Sequence, residues 1–465
     1  MKNVLLIDFG STYTKITAVD LEKEEILGTA RGITTVETDI TDGLKQGLAE
    51  LFARTGKLEF DRVLGCSSAA GGLKMIAIGL VSELTAEAAK RAALGAGAKV
   101  LGVYCGELSE YEIEEIAACR ADIILLAGGT DGGNKEVILH NARMLTLLQQ
   151  DIPIVVAGNK SVAPQVVKIL SSEMSEVEHT ENVMPKLNSL NILPARETIR
   201  NVFLKRIVQA KGLDKANSLV DRMVMPTPAA VMKAAELLSQ GTEHEAGIGD
   251  IMVVDIGGAT TDVYSIAKGQ PTNSTVLLRG LPEPFAKRTV EGDLGMRYSA
   301  SALRKASGSQ MIADYAQASE EAVDAYVAKV EADVDYLPQT EEEARVEIAM
   351  GKTCSRLGAE RHAGFLETYS TPCGMAQVQT GKDLTEVQVV VGTGGVIIHN
   401  QEPESILRGL QFDAANPLAL KPKAPDYWID RQYIMASMGL LSEEHPDAAL
   451  RMMKKYIMRG NQEWN

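Results

Sequence analysis

Two short stretches carry most of the chemistry this sequence can do: LLIDFGSTYTKI, residues 5–16, and MVVDIGGATTDV, residues 252–263. Each runs as an apolar strand, an aspartate, one apolar residue, a glycine, small and hydroxyl residues, and a second strand. A buried structural strand has little use for such an ending. A strand that delivers polar groups to a phosphate and its metal ion does. Glycine lets the backbone approach an anion, and successive N–H groups in such a turn form an anion-binding nest. Gly10, Gly257 and Gly258 occupy that place, and Ser11, Thr12, Thr260 and Thr261 offer hydroxyls. Asp8 and Asp255 are expected to hold Mg²⁺ through water, because this small hard cation keeps most of its hydration. Lys15 is expected to stabilise charge on a phosphate. Asp262 reads two ways, as a turn cap or as a partner of metal-bound water. The bland readings stand beside these: a surface lysine for Lys15, β-propensity for Thr260 and Thr261.

A third stretch, VVVGTGGVI, residues 389–397, feeds a buried-type strand into a glycine turn. Gly392, Thr393, Gly394 and Gly395 suit close packing against a flat adenine or ribose, with a plain tight turn as the alternative. The stretch is no Walker A motif, which ends in GK[ST], and no GxGxxG opens a helix here. Other candidates carry less. Cys66 with Ser67 and Ser68 lacks an evident His or Asp partner, so a small-residue turn is favoured over a nucleophile. The six histidines are scattered without HExxH spacing, and the five cysteines form no CxxC pair. GGTDGG, 128–133, is read equally as a structural turn or as a contact loop.

The elements that position these residues follow from periodicity. Strands are expected at 3–9, 14–20 and 25–31, and a helix at 41–55. From residue 74 the rhythm changes to apolar runs of strand length alternating with helices: KMIAIGLV, KVLGVYCG, ADIILLAGG and PIVVAG as strands, with EVEHTENV as a weak fifth. That alternation implies βαβ crossovers and a parallel, doubly wound sheet. PTPAAVMKAAELLSQG, 226–241, reads as a helix started by proline and stopped by glycine. EEAVDAYVAKVEADV reads as a solvated helix, NPLALKPKAP as a linker, and WIDRQYIMASMGLLSEEHP as the last helix.

The chain has 465 residues, enough for two to four domains. A formal net charge of −15 and the absence of a long Lys/Arg run argue against nucleic acid or acidic membranes as the main partner. The N-terminus does not read as a signal peptide, and no apolar run approaches the roughly 20 residues that span a bilayer. With these cysteines, a cytoplasmic α/β protein is expected.

Five segments, in order, resemble those of the actin, heat-shock chaperone and sugar/acetate kinase ATPases: DFGSTYTK as the first phosphate motif, PTPAAVMKAAELL as the first connecting helix, VVDIGGATTDV as the second phosphate motif, VVGTGGVI as the adenosine motif and YIMASMGLL as the second connecting helix. Ala436 and Gly439 in the last would permit close helix contact. With CSSAAGGL and LLAGGTDGGNKE, the details are further similar to the MutL-type accessory proteins of adenosylcobalamin-dependent glutamate mutase, a family distinct from the mismatch-repair protein of the same name. The resemblance implies an actin-like ATPase fold of two related lobes around ATP and Mg²⁺, with an inserted Rossmann-like (flavodoxin/cobalamin-domain-like) βα domain. It implies a chaperone-like ATPase that reactivates or assembles the mutase, with Asp8, Asp255, Lys15 and Asp262 as the catalytic set. The expected segments are 1–72 and 190–245 for the first lobe, 73–189 for the insertion, 246–425 for the second lobe and 426–465 for a C-terminal helix. The insertion's first βα loop, SELTAEAAK, lacks the cobalt-ligating His of cobalamin domains, so it is expected to mimic that fold and to dock on mutase subunits. A homo-oligomer stays open. Two rivals stand beside this: a small-molecule kinase and an ATP-dependent activator of an iron–sulfur dehydratase.

Overall fold

A computed structural model describes residues 3–10, 13–34, 40–68, 72–210, 220–308, 310–372 and 374–459. The chain forms two compact units. The first holds residues 1–233, 280–282 and 436–448, and the second holds 234–279, 283–435 and 449–465.

The first unit's leading sheet contains β1 (Asn3–Phe9), β2 (Tyr13–Asp20), β3 (Glu25–Ile33), β4 (Arg62–Ser67) and, much later, β10 (Arg222–Pro226). Its strand order is β10-β4-β1-β2-β3. β1, β2 and β3 form an antiparallel meander, while β4 and β10 run parallel to β1. The hydrophobic runs at 3–9 and 13–20 fix this register because both strands are buried along nearly their whole length.

Between β4 and β10 lies a second sheet made of β5 (Lys74–Gly79), β6 (Lys99–Cys105), β7 (Ile123–Leu126), β8 (Ile154–Val156) and β9 (Val177–His179). All pairings are parallel and the order is β6-β5-β7-β8-β9. Four helices carry the crossovers: α1 (Glu87–Gly95), α2 (Glu110–Cys119), α3 (Glu136–Leu145) and α4 (Ala163–Leu170). α2 starts on a full capping box, with Ser109 and Glu112 each accepting from the other's backbone N–H. Residues of this sheet, such as Met75, Ala77 and Leu125, share one apolar cluster with Leu5, Ile7 and Phe9 of β1. That shared core is why residues 73–189 group with the first unit instead of standing apart.

The second unit repeats the first sheet's logic. It contains β11 (Ile251–Ile256), β12 (Thr261–Ile266), β14 (Ala286–Glu291), β17 (Val389–Thr393), β18 (Asp426–Ile429) and β19 (Met458–Arg459), in the order β14-β12-β11-β17-β18-β19. β11, β12 and β14 form the antiparallel meander, and β17 and β18 run parallel to β11. Strand for strand, β11, β12, β14, β17 and β18 correspond to β1, β2, β3, β4 and β10. A small sheet of β13 (Leu277–Arg279), β16 (Gly374–Thr380) and β15 (Phe365–Thr371) completes the strands.

Several expectations need correction. The helix Glu320–Ala332 is not simply solvated, for Val323, Tyr326, Val327 and Val330 are buried in the second unit's core. Lys421, in the stretch expected to be a linker, is fully buried. The C-terminal stretch is a strand, β18, followed by two helices, Met435–Leu441 and Pro446–Tyr456, where one was expected. The segments 190–245 and 426–465 are both divided between the units.

The helix Thr227–Gln240, hereafter α5, stops at Gly241, whose φ of +78° suits glycine. Its first half packs against Met435–Leu441, hereafter α6. A Cβ added at Gly439 would fall far inside contact distance of the Ala230 carbonyl oxygen and 2.6 Å from its carbon. Backbone cannot step aside as a side chain can, so Gly439→Ala should cost about 3 kcal/mol, the upper range for overpacking. Urea unfolding measures it.

The second unit's core also holds a neutral histidine. His362 is fully buried, with its Nε2 at 2.8 Å from the Ser265 hydroxyl and its Nδ1 at 2.9 Å from Thr289 Oγ1. Burial, with Lys287 and Lys382 adding to it, pushes its pKa well below the usual imidazole value. Unfolded, the same ring takes a proton below about pH 6.5. The unfolded state therefore binds more protons on the acid side, and stability falls as pH drops through that value. About 1.4 kcal/mol should be lost per pH unit below 6.5. Urea midpoints at pH 7.5 and 5.5 test this, with the slope reduced in His362→Gln.

Candidate functional site

In the first unit, Asp8, last but one in β1, lies directly opposite Lys15 on β2 and beside Cys66 on β4. The turn between them closes when Gly10 N–H donates to the Tyr13 carbonyl at 3.1 Å. Asp8 is buried yet fully engaged: Oδ2 lies 3.5 Å from Lys15 Nζ, and Oδ1 accepts from Thr227 Oγ1 at 2.5 Å and from Cys66 Sγ at 3.5 Å. Burial and then the neighbouring Asp8 charge push the Cys66 thiol up, so it stays a protonated donor and not a nucleophile. Ser11 and Thr12 lie outside the described residues.

In the second unit, Asp255, last but one in β11, lies opposite Asp262 on β12 and beside Thr393 on β17. The same turn closes, with Gly257 N–H donating to Thr260 O at 2.9 Å. Segment 296–297 buttresses it: Met296 N–H donates to Gly257 O at 3.1 Å and Arg297 N–H to Gly258 O at 2.8 Å. The turn's carbonyls are thus directed into the protein. Among the described residues nothing accepts from the N–H groups of Gly258 and Ala259. Two consecutive unclaimed amides beside a carboxylate are the chemistry of an anion nest. Asp8 in the first unit and Asp255 in the second are each an oxygen donor of the kind that a hard, hydrated cation such as Mg²⁺ accepts. Among the described residues, no three His, Cys, Asp or Glu side chains gather into a metal cage.

Some expected residues are placed otherwise. Thr261 is fully buried and donates to the Leu294 carbonyl at 2.6 Å, so its hydroxyl cannot reach a ligand. Thr393 is also fully buried, donating to Asp430 at 3.2 Å. Asp430 in turn caps α6 by accepting from the N–H groups of Ile434 and Met435. Gly392 lies inside β17, where a Cβ would meet Leu407 at 2.8 Å, so packing explains it. Gly394, with φ +97°, lies at the strand end against Ile256 and Asp255: a Cβ there would come within 2.9 Å of Asp255 Oδ1. Gly395 next to it is exposed with open space around it. Asp262 is held by Arg288, with Nε–Oδ1 at 2.7 Å, and Thr260 Oγ1 lies 3.4 Å from its other oxygen. Its role as a turn cap or ligand is thereby subordinate to an ion pair that the sequence reading did not weigh.

The loop 128–133 is a built turn. Buried Asn159 binds the backbone of Gly132, Gly133 and Asn134, and buried Asn182 binds Gly129 O and Asp131 Oδ1. The structural reading of GGTDGG is favoured by those bonds.

The family model described as MutL protein matches residues 4–457. Protein MutL of Clostridium tetanomorphum is 54% identical over 461 residues, covering 99% of this chain and 100% of that protein. The chain belongs to the MutL family. Solved structures similar to this MutL-family chain include a diol dehydratase-reactivating factor in nucleotide-free form (11% identity, 96% of this chain and 100% of that one, TM-score 0.37). A ligand-bound xylulose kinase from Lactobacillus acidophilus is similar at 9% identity, 99% and 93% coverage and TM-score 0.36.

Sequence reading missed Thr227 and Arg288 in this MutL-family protein. Thr227 stands 219 residues from its partner, and only its place at the head of a connecting helix hinted at a role. No described helix is long and apolar enough to cross a membrane.

Proposed function

We propose that this MutL-family protein binds and hydrolyses ATP with Mg²⁺ and uses the cycle to reactivate or assemble an adenosylcobalamin-dependent carbon-skeleton mutase, glutamate mutase being the one the resemblance names. The observation that carries the nucleotide part is the recurrence, in both units, of the same strand order ending in the same Asp-x-Gly turn. ATP and Mg²⁺ supply the phosphoanhydride and the charge that neutralises it. Asp8 and Asp255 are the residues that would hold hydrated metal, Lys15 and the amides of Gly258 and Ala259 those that would receive phosphate oxygens, and the open space at Gly395, beside the close-packed Gly394, would admit the nucleoside. Hydrolysis then biases one arrangement of the chain over another, which is how nucleotide state becomes mechanical work.

The five-stranded parallel sheet of residues 74–179 is the proposed docking element for the mutase. Its order, β6-β5-β7-β8-β9, is that of flavodoxin-type sheets, which supports likeness to a cobalamin-binding subunit. The direct experiment adds the protein with ATP–Mg²⁺ to a cobalamin-inactivated mutase and follows turnover on fresh coenzyme. Rescue that needs ATP supports the reading. No rescue and no ATP uptake by calorimetry end it.

A further inference from the structure

We propose that Thr227 is the positioning residue for Asp8, fixing the carboxylate that handles the metal, and that it does so from the head of the helix that carries the chain from the first unit into the second. The proposal rests on the ATP–Mg²⁺ reading above and assigns one more residue to that site.

The geometry is specific. β10 runs parallel to β4, with Met225 opposite Cys66 and Pro226 opposite Ser67. The chain leaves β10 at Pro226, and the next residue, Thr227, begins α5. Its hydroxyl reaches past β4 to β1 and donates to Asp8 Oδ1 at 2.5 Å, the short distance of a charge-assisted bond. Cys66 Sγ lies 3.7 Å from the same hydroxyl and donates to the same carboxylate oxygen. Lys15 takes the other oxygen. With Oδ1 claimed by Thr227 and Cys66, the plane of the carboxylate is set, and Oδ2 is the oxygen turned toward Lys15. A carboxylate so oriented spends no rotamer entropy when it takes up a hydrated cation.

Thr227 is itself held. Prolines at 226 and 228 flank it, and each locks its own φ, so the threonine's backbone has little freedom. Past Lys233 the same helix belongs to the second unit. A shift at the head of α5 therefore changes the hydrogen bond to Asp8 directly, with no other side chain intervening. Thr227 touches neither metal nor nucleotide in this account; it acts through Asp8.

Thr227→Val keeps the shape and removes the donor, while Thr227→Ser keeps the donor. ATP binding is measured by calorimetry with and without Mg²⁺, alongside kcat, KM and the melting temperature. For Thr227→Val, we expect the Mg²⁺-dependent gain in ATP affinity and kcat to fall about 10- to 100-fold, the usual effect of losing an orienting partner. Mg²⁺-free ATP affinity should stay at the wild-type value, the melting temperature should fall only by the few degrees that one lost hydrogen bond costs, and Thr227→Ser should recover most of both losses. A Thr227→Val protein with wild-type Mg²⁺ dependence overturns the proposal. So does one whose Mg²⁺-free ATP affinity falls as far as its Mg²⁺-dependent affinity, or a Ser variant as impaired as the Val. If wild type itself takes up no ATP, the broader reading fails first and this one with it; if wild type binds and only the Val result is flat, this one fails alone.

Discussion

Asp255→Ala should leave the protein folded and lower ATP turnover by two to three orders of magnitude. That size, about 10²- to 10³-fold, is what removing one preorganised charge-stabilising group costs in other sites. The reason to expect an intact fold is local. Asp255 is the last but one residue of β11 and half-buried, while the strand's residues 251–254 and Ile256 carry the packing. Gly394, which crowds its Oδ1, is backbone that stays put when the side chain shrinks. Steady-state ATPase assays with circular dichroism and thermal melts on the same preparation decide it. Turnover within threefold of wild type would remove Asp255 from the site. Mutase rescue should disappear with the same substitution.

Asp262→Ala should behave in the opposite way, failing in stability before it fails in chemistry. Its carboxylate pairs with Arg288, whose side chain is 3% exposed. Removing the carboxylate takes away the buried guanidinium's charged partner, and its contact with Tyr264, whose ring centroid lies at 5.9 Å, does not replace an anion. Breaking a buried pair from one side costs about 3–5 kcal/mol, because the surviving charge is left uncompensated. Tyr264 feels the change as well: burial and Asp262 raise its pKa well above the usual phenol value, with Arg288 opposing. Urea unfolding should show the loss, and the double variant Asp262→Ala/Arg288→Met should recover much of it. A single variant as stable as wild type would mean that Arg288 finds another partner, and Asp262 would then return to the list of reactive groups.

Much of this was legible in the chain. The Asp-x-Gly endings of β1 and β11 were readable because a continuous apolar run stops there on a carboxylate, and nothing in packing asks for that. The parallel sheet of residues 74–179 was readable from its alternating strand-length and helix-length apolar runs. Thr261 was misjudged although a signal existed. In β12 it has the same parity as Val263 and Ser265, both fully buried, and so had to face inward. Pro446 likewise marked the start of the last helix. Other features left no local trace. Arg288 meets Asp262 across 26 residues and Thr227 meets Asp8 across 219, so each pairing is a product of strand order and not of any neighbourhood in sequence. Three unit boundaries, at 233/234, 435/436 and 448/449, fall inside helices, where composition does not change.

The twin hairpins are alike in backbone and unlike in sign. At the rung facing the strand-end aspartate, one copy carries Lys15 and the other Asp262. Two rungs further on, Thr17 faces Thr29 in one copy where Tyr264 faces Arg288 in the other. A chimaera that replaced residues 13–15 with 260–262 would import a negative group without the guanidinium that tames it, against an aspartate already present. The two hairpins are therefore not interchangeable, although the strand order around them is the same.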